Sequence, residues 1–246
     1  MAEETLLIVG NGFDLSMGFK TSYGDFLRSS VFPKYDSTLC SYLRKQFQEN
    51  MGWIDIENEL SGFSNVISSM KQDAKKKHAK WEYDNFRKEY DDLKSSLKKY
   101  LQEETKGQFI LKKDNPAVSV IDHLPAGSKI ISFNYTSIIE RMTRDWFGVS
   151  KGNLLHIHGS LAPYDDIVFG VEDSAKLSKE HVFLYKAHSQ SLKAREFSYW
   201  LNSAERIIFY GYSLGDTDRQ YFEKFFQKLC SENSSNVDLD FYYYGQ

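Results

Sequence analysis

The run TLLIVGNG near the start of the chain constrains the fold most, because residues 5–9 are short and apolar and a glycine follows at once. A strand with one face in water alternates apolar and polar residues, whereas a strand covered on both faces carries an unbroken apolar run. Later segments repeat the design: 129–134 reads KIISFN, 154–159 LLHIHG, 167–170 IVFG, 206–212 RIIFYGY and 239–245 LDFYYYG. Helical spacing marks 137–147, 189–204 and 217–230 between them. Strands alternating with helices predict an α/β fold, a Rossmann-like, mostly parallel sheet with helices on both faces. The last strand-like segment closes the sequence, so a covering helix is expected in a longer version.

The middle of the chain differs. Leu39, Tyr42, Leu43 and Phe47 recur at helical spacing, and so do Ile56, Leu60, Phe63, Val66, Ile67 and Met70. Residues 71–104 lack Gly and Pro, with Trp81, Phe86, Tyr90, Leu93, Leu97 and Tyr100 on one helical face. Glu82, Arg87, Glu89, Asp92 and Lys99 read as the solvated face. An inserted α-helical module over 36–115 is therefore expected, between core segments 1–35 and 116–246.

Composition narrows the classes. A net charge of −3 gives no basic excess for wrapping nucleic acid. The two cysteines, Cys40 and Cys230, follow no metal spacing, which points to a reducing compartment, the cytoplasm. The N-terminus lacks the pattern of a signal peptide, and no apolar run is long enough to span a bilayer. No membrane or nucleic-acid partner is expected.

Four predicted strands end in glycine or polar residues: Gly10-Asn11-Gly12, Asn134-Tyr135-Thr136, His158-Gly159-Ser160 and Gly211-Tyr212-Ser213. In an open parallel sheet ligands bind outside the carboxyl ends of the strands, so parallel pairing would gather all four clusters. The first is either a tight turn or a loop that lets a phosphate approach, because Leu15 stands where GxGxxG has its third glycine. Asp14 is a possible cap of the following helix, and Ser22 or Thr21 of the next. Asn134 is either a turn residue or an amide that orients a water or a ribose hydroxyl.

His156 and His158, two apart on a predicted strand, should share one face. Such a pair can ligate zinc, but no third ligand motif accompanies it. His158 at the strand end is the candidate general base, and His156 a core residue. In Gly211-Tyr212-Ser213-Leu214-Gly215-Asp216, Ser213 and Asp216 suit ribose or phosphate-linked groups, although Asp216 serves equally as an N-cap. Asp218 and Arg219 read as surface residues of the first helical turn.

The segments IVGNGFDLSMGFKTSYGDFL, SFNYTSIIE, HIHGS, IVFGVED and GYSLGDTD, in this order, resemble the AbiH family of bacterial abortive-infection proteins. That family is similar, more distantly, to sirtuin-like proteins, which carry a Rossmann-type NAD domain with a smaller inserted module. The resemblance implies a cofactor-binding set of Gly10, Asn11, Gly12, Phe13, Asp14, Tyr135, Thr136, Gly211, Ser213, Leu214 and Asp216, with Asn134 and His158 as the catalytic pair. Sirtuin-like domains of phage defence hydrolyse NAD⁺, and the same activity is implied here, with NAD⁺ as substrate and no other cofactor. Thr136 departs from the pattern, since such enzymes often place an aspartate there to hold the nicotinamide amide. The zinc-binding cysteines of deacetylating sirtuins are absent, which argues against protein deacetylation.

Two other readings stand beside NAD⁺ hydrolysis. One is a non-catalytic sensor of NAD⁺ or ADP-ribose that acts through a protein partner or a second copy at the helical insertion. The other is a metal-dependent toxin cleaving nucleotides or nucleic acid with His156 and His158.

Overall fold

In the computed structural model of the chain, residues 4–33, 37–73, 79–107, 114–143, 151–172, 175–186, 191–215, 218–231 and 237–243 are described. The strands are β1 (Thr5–Val9), β2 (Lys129–Ser132), β3 (Leu154–His156), β4 (Arg206–Tyr210) and β5 (Asp238–Tyr242). They form one sheet in the order β3-β2-β1-β4-β5. Every pairing is parallel, with Ile8 opposite Ile131 on one side and Phe209 on the other. The fold is α/β.

The helices are α1 (Asn11–Ser16), α2 (Tyr23–Arg28), α3 (Thr38–Glu49), α4 (Ile56–Asp73), α5 (Ala79–Glu104), α6 (Pro116–Asp122), α7 (Ile138–Met142), α8 (Ser191–Ser203) and α9 (Arg219–Ser231). The chain divides into two compact units. One comprises Met1–Lys20, Glu104–Ile167 and Gln190–Gln246, and the other Thr21–Glu103 and Val168–Ser189. The composition changes near residue 36, but the helical unit begins at Thr21 and also takes in a segment far along the chain.

The sheet unit is built as its apolar runs require. Leu6 and Ile8 point to one face, where Phe197, Trp200 and Leu201 of α8 and Phe222 and Phe225 of α9 cover them. Leu7 and Val9 point to the other, under Phe13 of α1, Ala117 and Ile121 of α6, and Ile138 and Met142 of α7. Each such apolar side chain stabilises the fold by about 1.5–3 kcal/mol when fully buried. The period of two within an unbroken apolar run is what permits two cores from one strand.

In the helical unit, Leu39 and Leu43 of α3, Ile56, Leu60 and Phe63 of α4, and Phe86, Tyr90, Leu93 and Leu97 of α5 are buried. Glu89 lies on the expected solvated face yet accepts from Ser37 Oγ and from the backbone N–H groups of Thr38 and Leu39. It thereby places a carboxylate at the N-terminus of α3, where the helix leaves donors open.

The expected strand over 167–170 does not form. Next to it, among the described residues, lies an isolated bridge, Val171 to Tyr185. Side chains satisfy this backbone instead, since Tyr90 Oη donates to Phe169 O and Gly170 N donates to Glu57 Oε1. Among the described residues, no helix is long and apolar enough to cross a membrane.

Candidate functional site

The parallel pairing carries the C-terminal ends of β1, β2, β3 and β4 to one rim of the sheet. The two glycine loops meet there directly. Gly12 N donates to Gly211 O at 2.9 Å, and Gly10 N donates to Tyr210 O at 3.1 Å. A Cβ on Gly12 would lie 2.6 Å from Gly211 Cα, and one on Gly211, whose φ is +60°, would lie 2.4 Å from the Gly12 carbonyl carbon. The glycines therefore answer first to this approach of backbone on backbone. The N–H of Gly12 is occupied by Gly211, and Phe13 N donates back to Gly10 O. At the outer side of the contact, Asn11, Ser213 and Leu214 are exposed, Leu214 at φ +51°.

Asn134 follows β2 and is buried. Its amide nitrogen donates to Gly10 O and to Asp14 Oδ1, each at 2.9 Å. Thr136 Oγ1 meets the other oxygen of the same carboxyl, Asp14 Oδ2, at 2.5 Å. Asp14 is thus no cap. It sits inside α1 with 1% of its surface exposed, and Gly10 takes the N-cap position. Ser22 caps α2 as expected, accepting from Asp25 N. Burial pushes the Asp14 carboxyl up to about 7, against the opposing pull of the bonds from Thr136 and Asn134. A carboxyl so placed can hold or release a proton near neutral pH.

Tyr135 O accepts from Leu161 N at 2.8 Å, which ties the loop after β2 to the loop after β3. Gly159 is required there, since at φ +70° a Cβ would lie 1.9 Å from Asp166 O.

The two histidines part company. β3 ends at His156, so the alternation expected to put both on one face stops before His158. His156 Nδ1 lies 3.0 Å from Asn134 O and its Nε2 2.7 Å from Glu140 Oε1 of α7. A carbonyl oxygen only accepts, so Nδ1 carries a hydrogen, and the Nε2–Glu140 contact needs a second one, on the ring or on the carboxyl. His158 Nε2 lies 2.7 Å from Asp218 Oδ1, and its ring packs edge-on to Phe133 at 5.4 Å. Each imidazole is matched to its own carboxylate, so the pair does not converge as metal ligands. Among the described residues no group of three or more His, Cys, Asp or Glu is arranged to hold a metal ion.

Asp218 is the residue sequence reasoning missed. It was expected on the surface, but its side chain is only 14% exposed and Tyr212 Oη donates to its second oxygen at 3.1 Å. The signal was the aspartate placed just before α9 in GYSLGDTD, which reads equally well as a surface residue of the first helical turn. Asp216, expected to bind the ligand, lies outside the described residues.

The site therefore gathers Gly10, Gly12, Asp14, Asn134, Thr136 and Gly211 through direct bonds or contacts, with His158 and Asp218 joined at the ends of β3 and α9. It leaves Asn11, Ser213 and Leu214 facing solvent. No curated protein matches the chain. The model of the family described as bacteriophage abortive infection AbiH matches residues 6–241, and the chain belongs to that family.

Proposed function

We propose that this chain acts in abortive infection by binding NAD⁺ at the rim of the sheet and hydrolysing its nicotinamide–ribose bond, in the cytoplasm. The observation that carries the reading is the strand order. In β3-β2-β1-β4-β5 the chain winds outward from β1 in one direction and then crosses to β4 on the other side. Dinucleotides bind at such a reversal, outside the carboxyl ends of the strands. The two strands flanking it, β1 and β4, are the ones that run into the glycine loops at Gly10 and Gly211.

In this reading Asn11, Ser213 and Leu214 offer the open side of those loops to the ligand, and Asn134 and His158 stand at the ribose. Water attacks ribose C1′ as the C1′–N bond breaks, and the bond's electron pair leaves with nicotinamide, which departs neutral. His158 takes the water proton. The products are nicotinamide, ADP-ribose and a proton. The transition state has oxocarbenium character, as in glycoside hydrolysis. Both N–H bonds of the Asn134 amide are donated within the protein, so its part falls to Oδ1 and to holding the loop.

A second reading has one observation in its favour. His158 is 3% exposed and Asn134 is buried with its donors occupied, as suits a binding protein that signals without turnover. Incubation with NAD⁺ while following nicotinamide separates the two. Wild type should release it, and His158→Ala should release it about 10²-fold more slowly or worse. Equal rates in both overturn the catalytic assignment, and binding without release in the wild type establishes the sensor.

A further inference from the structure

We infer that Asp218, steadied by Tyr212, is a positioning residue that fixes the tautomer of His158. The inference rests on the reading of His158 as the base of the proposed reaction. A carboxylate has only acceptors, and here each oxygen has its own partner. Oδ1 faces His158 Nε2 at 2.7 Å, and Oδ2 accepts from Tyr212 Oη at 3.1 Å. The ionised carboxylate therefore selects the imidazole with hydrogen on Nε2 and leaves the basic lone pair on Nδ1.

The surroundings hold this geometry. The His158 side chain is 4% exposed, and Phe133 and Tyr221 pack edge-on to its ring at 5.4 and 6.0 Å. Tyr212 in turn packs on Phe133 at 4.4 Å, so both partners of the carboxylate belong to one aromatic cluster. Asp218 itself is anchored through its backbone, since its N–H donates to Gly215 O at 3.1 Å. The imidazole rides on the segment after β3 and the carboxylate on the segment after β4, strands on opposite sides of β1.

The consequence is a division of labour. When His158 takes a proton at Nδ1, its Nε2–H stays on Asp218, and the carboxylate stabilises the imidazolium without taking the proton. An amide at 218 presents a donor as readily as an acceptor, so it permits the other tautomer.

The test is nitrogen NMR of ¹⁵N-histidine-labelled protein at alkaline pH, with His158 assigned from His158→Gln. The wild type should show hydrogen on Nε2. Asp218→Asn should shift both ring nitrogens toward the opposite tautomer, and Asp218→Glu should restore the wild-type pattern in part. Nicotinamide release should fall about 10²-fold or more in Asp218→Asn, in kcat and not in KM. Hydrogen on Nδ1 in the wild type overturns the inference whether or not any variant folds, and so do unchanged shifts in folded Asp218→Asn. A tautomer change in a protein that releases no nicotinamide leaves this inference standing and removes the hydrolytic reading instead.

Discussion

The two compact units bury polar side chains in different ways. In the helical unit two buried pairs stand out, one of them against aromatic rings. Lys186, 2% exposed, meets Glu57 Oε2 at 2.9 Å, and Ser64 Oγ lies 2.7 Å from His181 Nδ1, next to Phe86. In the sheet unit the interiors of β1, β2 and β4 are apolar, and, while Thr5, Ser128 and Thr143 are buried elsewhere, Asp14, Asn134, Thr136, His158 and Ser160 lie toward the C-terminal ends. There the bonds run between separate loops, and one carboxyl titrates near 7. Pairing of the first kind holds a fold. The second kind keeps polar groups and a labile proton at the rim where a parallel sheet takes ligands.

The contrast can be broken experimentally, starting with the largest effect. Gly211→Ala forces a Cβ to 2.4 Å from backbone at φ +60°, so the rim loops must separate. A loss of more than about 4 kcal/mol is expected in denaturant unfolding. A mild effect would mean that the loops are not held backbone to backbone. Glu57→Ala should cost about 3–5 kcal/mol by the same measurement, because it takes the carboxylate in direct contact away from a buried ammonium. If Glu57→Ala costs little, the pairing in the helical unit is not what holds it.

The rim carboxyl gives stability a pH dependence. Folded Asp14 keeps its proton up to about pH 7, whereas the unfolded chain releases it near 3.8. Between those values the folded state binds more protons, so this carboxyl lowers stability as pH rises from about 4 to about 7, by about 2–4 kcal/mol. In Asp14→Asn that part of the pH dependence should vanish from thermal unfolding curves, and an unchanged profile would show that Asp14 titrates as an ordinary carboxylate. The smallest effect sets the baseline. Lys45→Ala breaks an exposed pair with Glu49 at 3.7 Å and should move stability by no more than about 0.5 kcal/mol.

Much of the fold was legible because its signals are local. The apolar runs of β1, β2 and β4 and the helical spacing of α3, α4 and α5 follow from periodicity alone. The run IVFG misled because apolar content does not say whether a ladder partner exists, and Tyr90 and Glu57 answer its backbone from afar in sequence. At the site, strand ends were visible as glycine, Asn134 and His158. What those groups bond to was not, because it depends on contacts between residues far apart in the chain. Asp14 looked like a cap and is a buried hub for Asn134 and Thr136. Asp218 looked like a surface residue and is the partner of His158, 60 positions away. His156 and His158 part for a local reason, since β3 stops between them.

The proposed function requires NAD⁺ to bind where the strand order reverses, between the ends of β1 and β4. Hydrogen–deuterium exchange with and without NAD⁺ tests it most directly. Slower exchange is expected over 10–14, 132–136 and 211–215, with the helices α3 and α4 unaffected. Exchange that NAD⁺ leaves unchanged along the whole chain, or slows only in those helices, contradicts it.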